Sequence, residues 1–104
     1  MVKIDCNNNI TVTRGDKGFI NFRCANYKLK KGDRVTFHVD YPEINIVVTE
    51  FTNSGIACID IEKEHTTHDK GEYEYSIRVE TTLGVDETVV FGKYVILWYN
   101  VKVD

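Results

Sequence analysis

Along most of the chain apolar and polar side chains alternate with a period of two, the spacing of half-buried β-strands. From Arg34 to Asp40, Val35, Phe37 and Val39 fall on one face, with Arg34, Thr36, His38 and Asp40 opposite. From Glu72 to Glu80, Tyr73, Tyr75, Ile77 and Val79 share one face, and Glu72, Glu74, Ser76, Arg78 and Glu80 share the other. Each segment predicts a strand with a core side and a wet side. Shorter segments with the same rhythm occur from Ile10 to Arg14, from Phe19 to Arg23, through Ile44, Ile46 and Val48, and from Ile56 to Ile61. Turn residues separate them: Gly15-Asp16-Lys17-Gly18, Lys30-Lys31-Gly32-Asp33, Tyr41-Pro42 and Asn53-Ser54-Gly55. The first of these is expected to be a hairpin turn. Glu62 to Lys70 breaks the alternation and predicts one helical turn or a long loop. After Leu83-Gly84, Thr88 to Phe91 and Lys93 to Val103 read as the last two strands, broken at Gly92 by a turn or bulge. Eight or nine strands at this spacing predict an all-β, antiparallel β-sandwich of immunoglobulin-like or Greek-key type.

Composition agrees with that reading. Val, Ile and Thr number 13, 10 and 10, against three Leu, two Ala and one Met. That excess of β-branched residues argues against a helical bundle. A length of 104 residues is that of one domain, spanning residues 1–104, and leaves no room for a catalytic domain beside a binding domain. Lys and Arg number 13 against 16 Asp and Glu, for a net charge of −3, so no basic excess drives binding to a phosphate backbone. Nucleic acid is therefore not expected as a partner.

Three cysteines, Cys6, Cys24 and Cys58, are widely spaced and form no C-x-x-C pair. At most one disulfide is available, and the expectation is small buried thiols in a reducing compartment. Met1 to Asn9 carries Lys3 and Asp5 and no apolar core of a signal peptide, and no stretch has the length of a membrane span. The chain is thus expected neither to enter a membrane nor to be exported by a classical signal.

Residues able to do chemistry are few. Asp60, Glu62, Glu64, His65, His68 and Asp69 form the densest set of possible metal ligands, with the two histidines spaced three apart. Lacking cysteine partners or an H-E-x-x-H pattern, they read as a solvated connection, and no metal or other cofactor is expected. No nucleophile sits in a recognisable catalytic context, so the chain is not expected to be an enzyme; a pocket joining His38, His65 or His68 to a carboxylate and a Cys would argue otherwise. Arg14-Gly15-Asp16 spells a tripeptide of some integrin ligands, yet turn chemistry alone accounts for it. Tyr27, Tyr41 and Tyr99 could line a sugar-binding face, although a β core uses aromatics in any case.

The last strand departs from clean alternation. Tyr94, Ile96 and Trp98 on one side are matched by Val95, Leu97, Tyr99 and Val101 on the other, so both faces want cover. Two readings stand side by side: a central strand buried between layers, or a subunit contact made by Tyr94, Ile96, Trp98 and Tyr99.

Four pieces, Ile10 to Asp16, Gly32 to Val39, Gly71 to Ile77 and Gly92 to Ile96, occur in an order that resembles the N-terminal domain of the baseplate upper protein of phages infecting Gram-positive bacteria. The resemblance implies a compact β-sandwich that works as a noncatalytic attachment module of a phage or prophage tail. Its implied partners are other tail or baseplate proteins and further copies of itself. Its implied location is the bacterial host cytoplasm during assembly and the virion thereafter. A small carbohydrate-binding module and a phage-encoded inhibitor of a host protein are the alternative expectations.

Overall fold

The computed structural model describes residues 2–41, 43–68 and 71–97. Among these the alternating segments become eight strands and one helical turn: β1 (Val2–Ile4), β2 (Ile10–Thr13), β3 (Gly18–Phe22), β4 (Arg34–Val39), β5 (Ile44–Val48), β6 (Ala57–Ile61), α1 (Lys63–Thr66), β7 (Gly71–Glu80) and β8 (Asp86–Leu97). Six strands form one sheet in the order β1-β2-β8-β7-β4-β5, and β3 and β6 form a second, two-stranded sheet. The fold is all-β, but it is not wholly antiparallel. Ile10 to Thr13 run parallel to Tyr94 to Leu97, which makes the large sheet mixed. A period of two is common to both kinds of pairing, so alternation alone could not reveal this.

The core draws on both sheets. Val35, Phe37 and Val39 are fully buried, as are Ile10, Val12 and Tyr94 in the large sheet and Ala57 and Ile59 in the small one. At its centre Phe37 stacks on Tyr75, ring centroids 5.2 Å apart, and meets Tyr94 edge-on at 6.0 Å. Both buried phenols find carbonyl acceptors. The Tyr94 hydroxyl donates to the His65 carbonyl at 2.9 Å, and that of Tyr75 donates to the Asn8 carbonyl. Burial pushes the Tyr75 hydroxyl up to about 12 and raises that of Tyr94 as well.

Three expectations are corrected. The turn after β2 is a β-turn closed by Asp16 N–H to the Thr13 carbonyl, but it is not a hairpin: β2 and β3 belong to different sheets. Gly92 does not interrupt the last strand. It lies within continuous β8 opposite Tyr75, whose ring crosses it to reach Asn8, and a Cβ there would stand 2.2 Å from the Asn8 carbonyl oxygen. The bulge falls at Val89, because Ile77 pairs with Val90 and Arg78 with Thr88. The cysteines are not core residues either: all three are free, Cys6 and Cys58 exposed and Cys24 half-buried. Strand β1, which the charged N-terminal segment did not announce, pairs with β2.

Asp33 is the one buried carboxylate among the described residues, and it ties the loop before β4 to the turn between β7 and β8. It accepts hydrogen bonds from the Tyr27 hydroxyl (2.8 Å), Lys30 N–H (3.0 Å) and Thr82 N–H (2.9 Å). Burial alone would raise its pKa, but these bonds favour the ionised form and hold it below the ordinary 3.8. Its contribution to stability is therefore complete above the unfolded value and is lost as pH falls through the lower folded one. Asp33→Ala, which leaves three donors without their acceptor, is expected to destabilise the fold by about 2–3 kcal/mol in urea titration at neutral pH, with a smaller difference from wild type in acid. Gly92→Ala is expected to cost about 1–3 kcal/mol in the same measurement, by forcing Asn8 and Tyr75 apart.

Candidate interaction surface

The histidine and carboxylate cluster read from the sequence is taken up by the architecture of α1. The Glu62 N–H donates to His65 Nδ1 at 2.9 Å, so that ring caps the first turn of the helix. The His65 carbonyl holds Tyr94, and Arg14 donates to the carbonyls of Thr67 (3.1 Å) and His68 (3.2 Å) just past the helix. Buried Thr66 accepts from Gly15 N–H at 3.1 Å and donates to the Asp16 carbonyl at 2.7 Å. Arg14-Gly15-Asp16 is thus clasped to α1 along its length. Among the described residues no three His, Cys, Asp or Glu side chains converge as metal ligands, and Asp69 lies outside the described residues.

His38 stands apart from that cluster, on the outer face of the large sheet. Its Nδ1 lies 2.6 Å from Asn45 Oδ1 and its Nε2 2.7 Å from Asp40 Oδ1, while Asn45 Nδ2 donates to Glu43 at 3.2 Å. Acceptors on both ring nitrogens favour the imidazolium. The Asn45 bond and then the Asp40 bond raise the His38 pKa above 6.5, against a smaller opposing effect of burial. Among the described residues no cysteine completes a catalytic set here: Cys24 and Cys58 belong to other segments, and burial first, then neighbouring carboxylates, raises both thiols and keeps them protonated at neutral pH.

Of the three tyrosines that could line a sugar-binding face, Tyr27 and Tyr41 lie apart. Tyr27 is bound to Asp33 at the start of β4, whereas Tyr41 lies past its end, beside Tyr73 at 6.4 Å. Six residues of strand, roughly 20 Å, separate the two positions. Tyr99 lies outside the described residues.

Of the four side chains proposed as a subunit contact, Tyr94 and Ile96 are in the core, 0% and 1% exposed, and cannot meet a partner without unfolding. Trp98, Tyr99 and Val101 lie outside the described residues. The exposed side of β8 is the opposite one. Among the described residues nine large apolar side chains are exposed, and five belong to the β7–β8 hairpin: Leu83, Val85, Val89, Phe91 and Leu97. Leu83 stands at the tip, in a turn closed by Thr81 N–H to the Val85 carbonyl at 2.8 Å, with Gly84 supplying the positive φ of 89°. Val89 is the bulged residue, which pairing with β7 passes over. Beneath the tip is a groove of about 300 Å³, walled by Cys24, Tyr27, Val79, Leu83, Val85 and Val89, with Glu87 as its carboxylate. The period of two could not single out this ribbon, because the bulge exchanges faces within it.

A scan against protein-family models matches none of them, and a search of curated proteins finds no match. Among the described residues no helix is long and apolar enough to cross a membrane.

Proton NMR is expected to show His38 titrating above the 6.5 of an ordinary imidazole, and Asn45→Ala to bring it down. With a raised folded pKa, the stability that His38 contributes is full below the unfolded pKa and is lost as pH rises through the folded one.

Proposed function

We propose that this chain is a noncatalytic assembly module that grips other proteins through its sheet faces and edges. The setting we infer is the tail or baseplate of a phage or prophage. The observation that carries the reading is the apolar display of the β7–β8 hairpin, with Leu83 72% and Phe91 71% exposed. Burying a side chain of this size in an interface gains about 1.5–3 kcal/mol, and aromatic residues such as Phe91 are enriched in interfaces. The groove beside Leu83 offers a complementary recess for a partner's apolar side chain.

The sequence resemblance supports the same setting. Its four pieces fall on β2, β4, β7 and β8, which lie side by side in the large sheet in the order β2-β8-β7-β4. They belong to one structural unit. In this reading the two sheets are the layers of an immunoglobulin-like or Greek-key sandwich, the partners are other tail proteins or further copies of the chain, and the location is the host cytoplasm and then the virion.

Size-exclusion chromatography with light scattering tests the reading. Alone and mixed with tail proteins encoded beside it, the chain is expected to enter a larger species. Leu83→Asp/Phe91→Asp is expected to remain monomeric with an unchanged circular dichroism spectrum. A wild type that associates with neither would overturn the proposal, and association undiminished in the double variant would remove the hairpin from it.

A further inference from the structure

Tyr27 lines a second hollow besides the hairpin groove, and the chemistry there is different. Of about 610 Å³, it is formed by the loop before β4, with Lys28, Lys30 and Lys31, and by the turn between β5 and β6, with Phe51; buried Leu29 completes its apolar lining. Both segments are fixed before any ligand arrives. Asp33 holds the Tyr27 hydroxyl and the Lys30 N–H. In the turn, Thr52 N–H donates to the Ile56 carbonyl at 3.0 Å, and Ile56 N–H donates to Thr52 Oγ1 at 3.1 Å. Gly55 seats that turn against the loop, where a Cβ would stand 2.9 Å from the Leu29 nitrogen. A preformed site spares its ligand the cost of ordering it.

Three lysines within four residues are a local excess in a chain whose net charge is −3. All three are exposed, and among the described residues none of them enters an ion pair. No acidic side chain lines the hollow among the described residues. Asp33 is buried and committed to its three hydrogen bonds, and Glu50 lines an adjoining hollow that shares Lys31 and Phe51. Like charges gathered on one hollow raise the local potential, and an anion relieves the repulsion among them.

The lining narrows the kind of anion. Among the described residues no arginine lines the hollow, so the planar fork that clamps a phosphate is missing. Lysines act as point charges on flexible stems and spread their attraction along a length of ligand. Half-buried Phe51 packs on the core, and its ring, with Leu29 and the ring of Tyr27, offers apolar area that a bare anion cannot use. We propose that this hollow is a docking site for an acidic segment of a partner protein, in which Asp or Glu residues flank one aromatic or large aliphatic side chain. The carboxylates meet Lys28, Lys30 and Lys31 and supply steering and choice of partner, while the central side chain packs against Phe51 and supplies affinity. The site shares with the function proposed above only the premise that the chain binds proteins, and it uses none of the exposed hairpin side chains.

Fluorescence anisotropy with labelled peptides tests it: Asp-Asp-Phe-Glu-Glu, the same peptide with Ser in place of Phe, and Lys-Lys-Phe-Lys-Lys. The chain is expected to bind the first saturably, at least about tenfold more tightly than the basic peptide and more tightly than the Ser form, and to lose affinity as salt rises. Amide NMR shifts are expected in residues 27–31 and 51–53. Lys28→Glu/Lys31→Glu is expected to weaken binding about tenfold or more with an unchanged circular dichroism spectrum. Lys28→Gln/Lys31→Gln, which adds no negative charge near Asp33, is expected to weaken it about threefold or more, and it decides the matter if the charge reversal fails to fold. Leu83→Asp/Phe91→Asp is expected to bind the acidic peptide like wild type, so loss of the hairpin surface and loss of the lysine hollow are told apart. Absence of binding, equal binding of acidic and basic peptides, shifts confined to other residues, loss of binding in the hairpin variant, or displacement of the peptide by tripolyphosphate at a lower concentration than by unlabelled peptide would each overturn the proposal.

Discussion

The parallel pairing of β2 with β8 is the constraint on which the rest of the structure depends. It joins residues 10–13 to residues 94–97, the longest closure in the large sheet, and closure cost rises only slowly with loop length. Once made, it places β1 at one edge, since β1 pairs only with β2 among the described residues. It also brings Asn8 and Asn9 against the middle of β8, where Lys93 N–H donates to Asn9 Oδ1 at 3.2 Å and Tyr75 reaches Asn8. At the other end it sets Arg14 N–H on the Leu97 carbonyl at 2.7 Å, and that fixes the turn that grips α1.

Buried polar groups then tie the loops to this frame. Tyr75, Tyr94, Thr66 and Asp33 are each buried, and each is satisfied by backbone from a remote segment. A buried donor or acceptor left unpaired costs more than a typical hydrogen bond gains, so each group dictates where its partner loop lies. Among the described residues no buried side-chain polar atom lacks a partner. Two residues that stand out chemically in the sequence, Arg14 and His65, are committed to the same task.

Sequence reasoning reached the strands whose two faces differ sharply. Val35, Phe37 and Val39 in β4, and Tyr75, Ile77 and Val79 in β7, are buried as their alternation requires. It failed where alternation carries no information. Pairing direction leaves no trace in a period of two, so the parallel contact of β2 and β8 was invisible. From Tyr94 to Leu97 both faces are apolar, and only tertiary packing decides that Tyr94 and Ile96 point inward. Gly92 reads as a break because glycine usually weakens a strand, whereas here it makes room for a tyrosine ring. The exposed apolar face was half legible: β8 is recognisably apolar on both sides, but the side left exposed depends on packing and on the bulge.

The bulge also governs how the hairpin is built. One supernumerary residue, Val89, inverts the parity of β8, so that Thr88 and Asp86 share the outer face with Arg78 while Glu87 pairs with Val79 on the inner one. Arg78 meets Asp86 at 2.7 Å and Thr88 at 3.5 Å because of this inversion. A single polypeptide ribbon can thereby serve two masters: its root obeys the interior, and its tip, having changed step, is free to obey whatever lies outside.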